Sequence, residues 1–307
     1  MKNGITHNNV GININECLDS VLKEADEVYI CPSFGCNLNC PHCTLKNVRN
    51  EGNIKSIVNS IKKIKLYNPN VSFTLFGGEP SLLKDNILLV IRDAIGENNY
   101  SVSTNLINFS DAFLQVLKEA DLPDTSWNPK RFHTPELYNK WLENLKVLKD
   151  NNITFELMIT LTKDLIEQNP QKFIDKVLEW NVKYIKLEFM IGDDTLNPED
   201  VDNWLVSLYH LWYSNKKLKN FENVLFSRIR DVAFNGAEWE GNCNKTLTIL
   251  PSGNIKERCP YYEYQLQKAE CYNCEYFNYC KGGCPIQEKC VFPKKLFDLI
   301  KKEKNVR

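Results

Sequence analysis

The sequence predicts an α/β protein: a partial (βα)6 TIM-like barrel followed by a small Cys-rich C-terminal domain. Between about residues 28 and 195, short apolar runs alternate with longer amphipathic stretches, which is typical of parallel βαβ units. Six strands fit into this stretch, and too few residues remain for an eight-fold barrel. From Cys243 onward the composition changes abruptly to Cys, Gly, Tyr and Pro.

These boundaries divide the 307 residues into four segments. A chain of this length has room for one large domain and a small appendage. The segments are an N-terminal extension (1–27), the barrel (28–195), a bridging helical region (196–242) and a Cys-rich domain that ends in a helix (243–307).

The element order follows from hydrophobic periodicity. The predicted strands are Val28–Ser33, Val71–Phe76, Tyr100–Asn105, Leu122–Trp127, Ile153–Leu161 and Lys183–Phe189. The predicted helices between them are Asn53–Leu66, Asp85–Ile95, Ser110–Ala120, Pro135–Lys149 and Pro170–Trp180, and Ser110, Thr134-Pro135 and Asn169-Pro170 supply start signals. Beyond the barrel we expect a helix at Asn197–Leu218, a hairpin of Leu247–Leu250 with Ile255–Arg258, and a tail helix at Lys294–Lys304.

The last two predicted barrel strands each have one apolar and one polar face. In the fifth, the residues at 155, 157, 159 and 161 are apolar, whereas Glu156 faces the other way. In the sixth, Lys186 and Glu188 oppose an apolar face. A closed barrel core would be apolar, so these charged residues indicate a wet cavity that receives a ligand, or else an exposed rim. Glu156, Lys186 and Glu188 are the candidate catalytic residues.

Composition excludes several classes of function. A net charge of −1 lacks the basic surplus of a nucleic-acid-binding protein. The first twenty residues lack the pattern of a secretion signal, and no window is apolar enough to span a membrane. We therefore expect a cytoplasmic protein with neither a nucleic-acid nor a membrane partner. Twelve cysteines in such a chain point to metal ligation rather than disulfides, because the cytosol keeps thiols reduced.

The most informative segment is Cys36-Asn-Leu-Asn-Cys40-Pro-His-Cys43. Three thiolates at this spacing can hold three corners of a [4Fe–4S] cluster and leave one iron without a protein ligand. An iron with an open position can bind and cleave a cofactor. The competing metal is zinc, for which His42 would supply the fourth ligand that a structural site requires.

Gly77-Gly78-Glu79-Pro80 follows directly on the second predicted strand. Two glycines allow a backbone to approach a ligand closely. The cysteine loop and this turn together resemble the radical S-adenosylmethionine (radical SAM) family, and the resemblance extends from about Val28 to Cys290.

The resemblance implies a set of contacts to SAM. His42 would stack near the adenine, the Gly-Gly-Glu-Pro turn would contact the methionine ammonium with Glu79 as the complementary charge, and polar strand ends would bind the carboxylate and ribose. The implied SAM-binding residues are His42, Gly77, Gly78, Glu79, Pro80, Ser103, Asn105, Ser126 and Asn128. Asn128 replaces an acidic residue of the family pattern, so it could bind a hydroxyl but carries no charge.

Seven further cysteines are similar to the SPASM extension of radical SAM maturases, which carries two auxiliary [4Fe–4S] clusters. The resemblance assigns Cys243, Cys259 and Cys284 to the first auxiliary cluster and Cys271, Cys274, Cys280 and Cys290 to the second. The first would lack a fourth cysteine, unless Cys17 or Cys31 supplies it, and would otherwise have an open iron. A zinc knuckle over Cys271–Cys284 is the alternative.

The cofactors implied are thus SAM and three [4Fe–4S] clusters, one of which binds SAM. Cleavage of SAM would produce a 5′-deoxyadenosyl radical that removes hydrogen from a substrate C–H bond. The required electron implies an external low-potential donor of the flavodoxin or ferredoxin type.

Our leading hypothesis is a peptide maturase that forms a thioether or carbon–carbon crosslink in a ribosomally made natural product. The alternative is a radical dehydrogenase or epimerase acting on a small antibiotic or sugar intermediate, and a remote alternative is a non-catalytic iron–sulfur or zinc-binding protein. Only 35 residues precede Cys36, too few for a winged-helix peptide-recognition domain, so a separate peptide-recognition protein is a further expected partner.

Overall fold

The computed structural model describes residues 21–40, 43, 52–189, 196–237, 239, 245–257, 271, 273–281 and 289–304. Three cysteines predicted as ligands, Cys243, Cys259 and Cys284, and also His42 and Cys17, lie outside these residues. Among the helices in the described ranges, none combines the length and apolar character that a bilayer crossing requires.

One sheet runs through the described part of the molecule. Its strands are β1 (Glu27–Ile30), β2 (Ser72–Leu75), β3 (Tyr100–Thr104), β4 (Asp124–Trp127), β5 (Glu156–Leu161), β6 (Tyr184–Phe189), β7 (Glu222–Asn223), β8 (Thr246–Ile249) and β9 (Ile255–Glu257). The spatial order is β7-β6-β5-β4-β3-β2-β1-β8-β9. Every neighbouring pair is parallel except β8 and β9, which form an antiparallel hairpin. The predicted parallel α/β fold, with strands β1–β6 in chain order, is confirmed.

Helices alternate with the first six strands, as predicted. The longer ones are α1 (Ile54–Tyr67), α2 (Asp85–Ile95), α3 (Asp111–Glu119), α4 (Pro135–Asp150), α5 (Pro170–Trp180), α6 (Pro198–Ser214), α7 (Val224–Asn235) and α8 (Lys294–Lys304). Ser110, Thr134 and Asn169 each accept a hydrogen bond from a backbone N–H in the first helical turn, so the three predicted start signals act as N-caps.

The two faces of the sheet differ in polarity. On β5, Leu157, Ile159 and Leu161 are fully buried beneath the helices, whereas Glu156 keeps accessible surface on the opposite face. Aromatic side chains fill the helix layer: the ring of Trp180 lies 4.8 Å from that of Trp127 on β4 and meets Trp141 of α4 edge-on. The core therefore lies between the sheet and its helices, and the inner face of the sheet is left polar.

Further strands extend the sheet beyond both edges of the six predicted strands, β1–β6. The short strand β7, inside the region predicted to be a helical bridge, adds to β6. At the other edge, β8 pairs in parallel with β1 along its whole length, and the N–H of Cys31 donates to Ile249 O at 2.9 Å. The hairpin of the predicted Cys-rich domain thus completes the hydrogen bonding of β1, whose edge would otherwise leave unpaired backbone groups.

The C-terminal helix packs on the bridging helices. Asp202 of α6, which is 6% exposed, accepts hydrogen bonds from the backbone N–H groups of Lys295 (2.7 Å) and Leu296 (3.1 Å) at the start of α8. Near its other end, the Tyr209 hydroxyl donates to Glu303 at 2.8 Å. These contacts attach the C-terminal region to the body of the molecule.

Candidate active site

The predicted cluster loop follows β1 at the carboxyl end of the parallel sheet, where open α/β sheets place their ligands. Of its three cysteines, Cys36 is exposed, Cys40 is buried and Cys43 is partly exposed. The N–H of Cys43 donates to Cys40 O at 3.1 Å, which joins the last two of these cysteines.

The Gly-Gly-Glu-Pro turn is bonded directly to this loop. The N–H of Gly78 donates to Ser33 O at 2.9 Å, and the N–H of Glu79 donates to Gly35 O at 2.8 Å. A Cβ on Gly78 would lie 2.1 Å from Gly35 O, and one on Gly77, whose φ is +132°, would lie 2.6 Å from Ser33 O. The glycines are therefore required by the close approach of two protein backbones, a reason that the sequence did not reveal.

Glu79 is 3% exposed, and protein donors engage both of its carboxylate oxygens. Oε1 accepts from Ser81 N (3.0 Å) and from the Thr104 hydroxyl (2.6 Å), and Oε2 accepts from Asn105 N (2.6 Å). Glu79 also begins the 3-10 turn Pro80–Leu82, in which Pro80 is buried. The contacts present thus connect the turn after β2 to the end of β3, while a direct contact of Glu79 with SAM stays a prediction.

Asn105 continues this connection to the cysteine loop. Its side-chain N–H group donates to Asn37 Oδ1 at 2.6 Å and approaches Cys36 Sγ at 3.6 Å. The N–H of Leu38 also donates to Cys36 Sγ, at 3.4 Å. Donors aimed at a thiolate stabilise its charged form, which is the form that ligates a metal.

The pKa of the Cys36 thiol is nevertheless raised. The largest cause is desolvation by surrounding protein atoms, and the nearby charges of Glu79 and Cys40 add to it. A metal held by this residue would need the thiolate form, so binding of iron would release the proton.

Three buried polar atoms near the predicted SAM residues lack a hydrogen-bond partner in the described part of the chain: Ser81 Oγ, Asn128 Nδ2 and Arg131 Nε. Asn128 is 1% exposed, its Oδ1 accepts from Lys130 N, and it lies immediately after β4. The guanidinium of Arg131 reaches Cys40 Sγ at 3.8 Å. Since buried donors rarely stay unpaired, these groups fit a bound molecule with carboxylate and hydroxyl acceptors, as SAM has. Ser81 and Arg131 were missed, because only the fold brings them to this site.

Ser103 and Ser126 lie on the inner faces of β3 and β4. The Ser103 hydroxyl donates to Asp124 at 2.7 Å. Sequence analysis passed over Asp124, although the alternation of its strand already placed it on the inner face with Ser126. Burial raises its pKa to about 7, with Glu156 adding to the shift and Ser103, Lys186 and Arg131 opposing it.

The three candidate catalytic residues come together on the inner face. Lys186 and Glu188 form an ion pair of 2.7 Å, with 32% and 40% of their side-chain surfaces exposed. Burial raises the pKa of Glu156, and Lys186 opposes the shift. Burial lowers the pKa of Lys186, but Glu188, Glu156 and Asp124 outweigh it and the net direction is upward. The charged side chains thus share the inner face of the sheet, while the wet cavity and a catalytic role of these residues stay predictions.

All four cysteines predicted for the second auxiliary cluster, Cys271, Cys274, Cys280 and Cys290, are among the described residues. The N–H of Cys274 donates to Cys271 O at 3.1 Å, and Cys280 ends a short helix (Phe277–Cys280) and is buried. Cys31, a spare candidate ligand, is 1% exposed at the end of β1, and burial raises its pKa to about 12. A neutral, enclosed thiol of this kind is typical of a small core residue.

Comparison with known proteins adds to these observations. The profile of the Radical SAM superfamily matches residues 30–177. The chain is 22% identical to a cysteine-type anaerobic sulfatase-maturating enzyme of Clostridium novyi, over 87% of this chain and 90% of that protein. A protein of the same description from Clostridium perfringens is 23% identical over 82% of this chain and 86% of its own length.

Solved structures show the same fold. The structure of native anSMEcpe with bound AdoMet and Cp18Cys peptide has a TM-score of 0.73 at 18% identity, covering 92% of this chain and 99% of that one. Streptococcus suis SuiB bound to the precursor peptide SuiA has a TM-score of 0.63 at 17% identity, covering 94% and 84%. The cysteine loop and its bonded turn both lie within residues 30–177, the part of the chain that matches the Radical SAM superfamily, and the findings together support a radical SAM enzyme.

Proposed function

We propose that this enzyme is a peptide maturase that joins two side chains of a ribosomally made peptide through a thioether or carbon–carbon bond. The observation that carries the proposal is the single bonded unit formed by the cysteine loop, the Gly-Gly-Glu-Pro turn and the end of β3, with unpartnered donors beside it. Support for a peptide substrate comes from SuiB, which was solved with a precursor peptide, and from anSMEcpe, which was solved with a peptide.

In this proposal Cys36, Cys40 and Cys43 hold the SAM-binding [4Fe–4S] cluster. When bound, the reduced cluster and SAM supply a 5′-deoxyadenosyl radical that removes a hydrogen atom from the substrate. The protein's own contribution is positioning. The turn and Asn105 hold the loop in place, and Asn128 and Arg131 offer donors to the carboxylate and hydroxyl groups of SAM.

Auxiliary clusters would supply an acceptor for the surplus electron of an oxidative reaction. Cys271, Cys274, Cys280 and Cys290 would hold one, and Cys243, Cys259 and Cys284 the other. The hairpin that precedes Cys271 is paired with β1, the strand that leads into the cysteine loop.

A second candidate is oxidation of a peptide cysteine without a crosslink. It is favoured by the relatives described as cysteine-type sulfatase-maturating enzymes. Both candidates use the same radical site and differ in whether a second side chain captures the oxidised carbon.

Iron content and SAM cleavage test the site. The anaerobically reconstituted enzyme should bind about twelve irons per chain. Changing Cys36, Cys40 and Cys43 together to Ala should lower this by about four and abolish 5′-deoxyadenosine formation under reductant. Cys31→Ala is the matched control and should change neither quantity. A triple variant that still cleaves SAM would refute the loop assignment.

Peptide products test the finer proposal. Synthetic peptides that contain one cysteine and one aromatic residue would be incubated with the enzyme, SAM and reductant, and then analysed by tandem mass spectrometry. A crosslink predicts the loss of two hydrogens with fragmentation blocked between the joined residues, whereas simple oxidation leaves fragmentation intact. Formation of 5′-deoxyadenosine without any peptide product would instead favour the small-molecule alternative.

A further inference from the structure

A row of polar side chains crosses the inner face of the sheet from β3 to β6. Ser103 is the cross-strand partner of Asp124, and Asp124 is that of Glu156. Parallel neighbours of this kind lie on the same face about 4.8 Å apart. On β6 the cross-strand partner of Glu156 is Tyr184, and the ion pair of Lys186 and Glu188 lies two and four residues further along this strand.

These side chains lie on the inner face of the sheet and are not packed beneath the helices. Asp124 and Glu156 keep accessible surface, whereas their chain neighbours on the other face, Thr125 and Leu157, are almost completely buried. Asp124 begins β4, and Asn128, whose Nδ2 is buried without a partner in the described part of the chain, follows the last residue of this strand. Polar groups that can bind a polar molecule therefore lie at both ends of β4.

The charges facing the carboxyl pair set its protonation. Two adjacent carboxyls resist simultaneous ionisation. Lys186 from β6 and Arg131 from the loop after β4 oppose this effect, while burial reinforces it. The pKa of Asp124, at about 7, is thus suited to exchange of a proton at neutral pH. Lys186 stays charged beside the pair, because its own pKa is raised by the surrounding carboxylates, which outweigh desolvation.

We propose that the Asp124–Glu156 pair accepts the proton that the substrate releases during oxidation. Asp124 is the acceptor, and the adjacent carboxylate of Glu156 favours protonation of Asp124. This inference rests on the proposed function. Ser103, one of the residues that the resemblance assigns to SAM, donates a 2.7 Å hydrogen bond to Asp124 and so places this carboxyl beside the predicted SAM residues.

In the proposed step, a substrate carbon has already lost one hydrogen atom. An S–H or C–H bond of a second substrate group then breaks, and its proton passes to the Asp124 carboxylate. The electron pair left behind and the unpaired electron of the carbon supply three electrons. Two of them form the new sulfur–carbon or carbon–carbon bond, and the third leaves to an iron–sulfur centre, the one-electron acceptor of the proposed function.

The first test needs no substrate. Infrared difference spectra of the reconstituted enzyme between pH 5 and 9 should contain a protonated-carboxyl band that disappears near pH 7. Asp124→Asn should remove this band. The matched control Asp121→Asn changes an exposed aspartate at the start of the same segment and should keep it. If the wild-type enzyme has no such band, or if Asp124→Asn retains it, the proposal is wrong whatever the substrate.

The second test uses the cysteine- and aromatic-containing peptides. Asp124→Asn should keep 5′-deoxyadenosine formation but lower peptide product per 5′-deoxyadenosine by about 100-fold, the usual contribution of a positioned proton acceptor. Wild-type product formation should rise through about pH 7, and this rise should be absent from Asp124→Asn. An unchanged product ratio would overturn the proposal, whereas failure of the proposed function itself would leave the wild-type enzyme without any peptide product and the infrared band in place.

Discussion

The carboxylate of Glu79 accepts a 2.6 Å hydrogen bond from the backbone N–H of Asn105, and this contact joins the turn after β2 to the end of β3. The side chain of Asn105 reaches on to Asn37 in the cysteine loop after β1. Three consecutive strand ends are therefore held as one unit by two buried residues. A cofactor site assembled in this way is rigid before any ligand arrives, which lowers the cost of binding.

Glu79→Gln should weaken this unit. The amide can satisfy only some of the three donors, since either orientation turns its N–H group toward a backbone N–H. An unsatisfied buried donor costs about 1–3 kcal/mol of folding stability, and the loosened unit should bind SAM more weakly. Equilibrium dialysis with SAM measures this, and exposed Glu97→Gln is the control. Equal affinities of the two variants would contradict the role assigned to Glu79.

Gly78→Ala should disrupt the cysteine loop. Its Cβ would lie 2.1 Å from the backbone oxygen of Gly35, which cannot move without displacing the loop. We expect the variant to lose the SAM-binding cluster, or about four irons per chain, as measured by iron analysis and visible absorbance. In Gly35→Ala the nearest atom is a side-chain oxygen, Ser33 Oγ, at 3.3 Å, so this neighbouring variant should keep its iron. Full iron content in Gly78→Ala would disprove the backbone contact.

Asp202→Ala should loosen the C-terminal helix. It removes the acceptors for the N–H groups of Lys295 and Leu296, and loss of a cap costs about 1–2 kcal/mol. Hydrogen exchange should accelerate across residues 294–304 and the melting temperature should fall. Asp202→Asn keeps one acceptor and should restore part of the protection. Exposed Asp200→Ala, in the same helical turn, should leave exchange unchanged; equal exchange in the two alanine variants would refute the capping role.

Asp124 should make stability depend on pH. Its pKa is raised from 3.8 to about 7, so between these values the folded protein binds more protons than the unfolded chain. This contribution to stability is present at low pH and is lost as pH rises toward and beyond 7. Asp124→Asn removes the dependence, so its melting temperature should match the wild type near pH 4 and exceed it at pH 8, by on the order of a few degrees. Parallel melting curves across this range would contradict the shift.

Local patterns predicted the barrel well. The apolar spacing of Ile57, Ile61 and Ile64 and the N-cap Asn53 are sufficient to predict α1, because both act within a few residues. The alternation in β5 likewise placed Glu156 on the inner face. Strand β7 escaped prediction, because two residues carry no periodic signal and become a strand only by pairing with β6.

The sequence predicted individual residues of the site but not the contacts between them. Cys36, Gly78 and Asn105 were recognised from short motifs, whereas the reason that Gly78 is glycine depends on Gly35, a residue more than forty positions away. Arg131 gave no signal of its own, and only the packing of its loop brings it to Cys40.

By itself, then, the sequence determined the order of strands and helices and the spacing of the three N-terminal thiols, because hydrophobic periodicity and ligand spacing act over short stretches of chain. The tertiary structure alone decided that Asp124 meets Ser103 and Glu156, and that β8 completes the edge of β1. Those contacts join residues about twenty to more than two hundred positions apart, and their energy is gained only when the whole sheet forms.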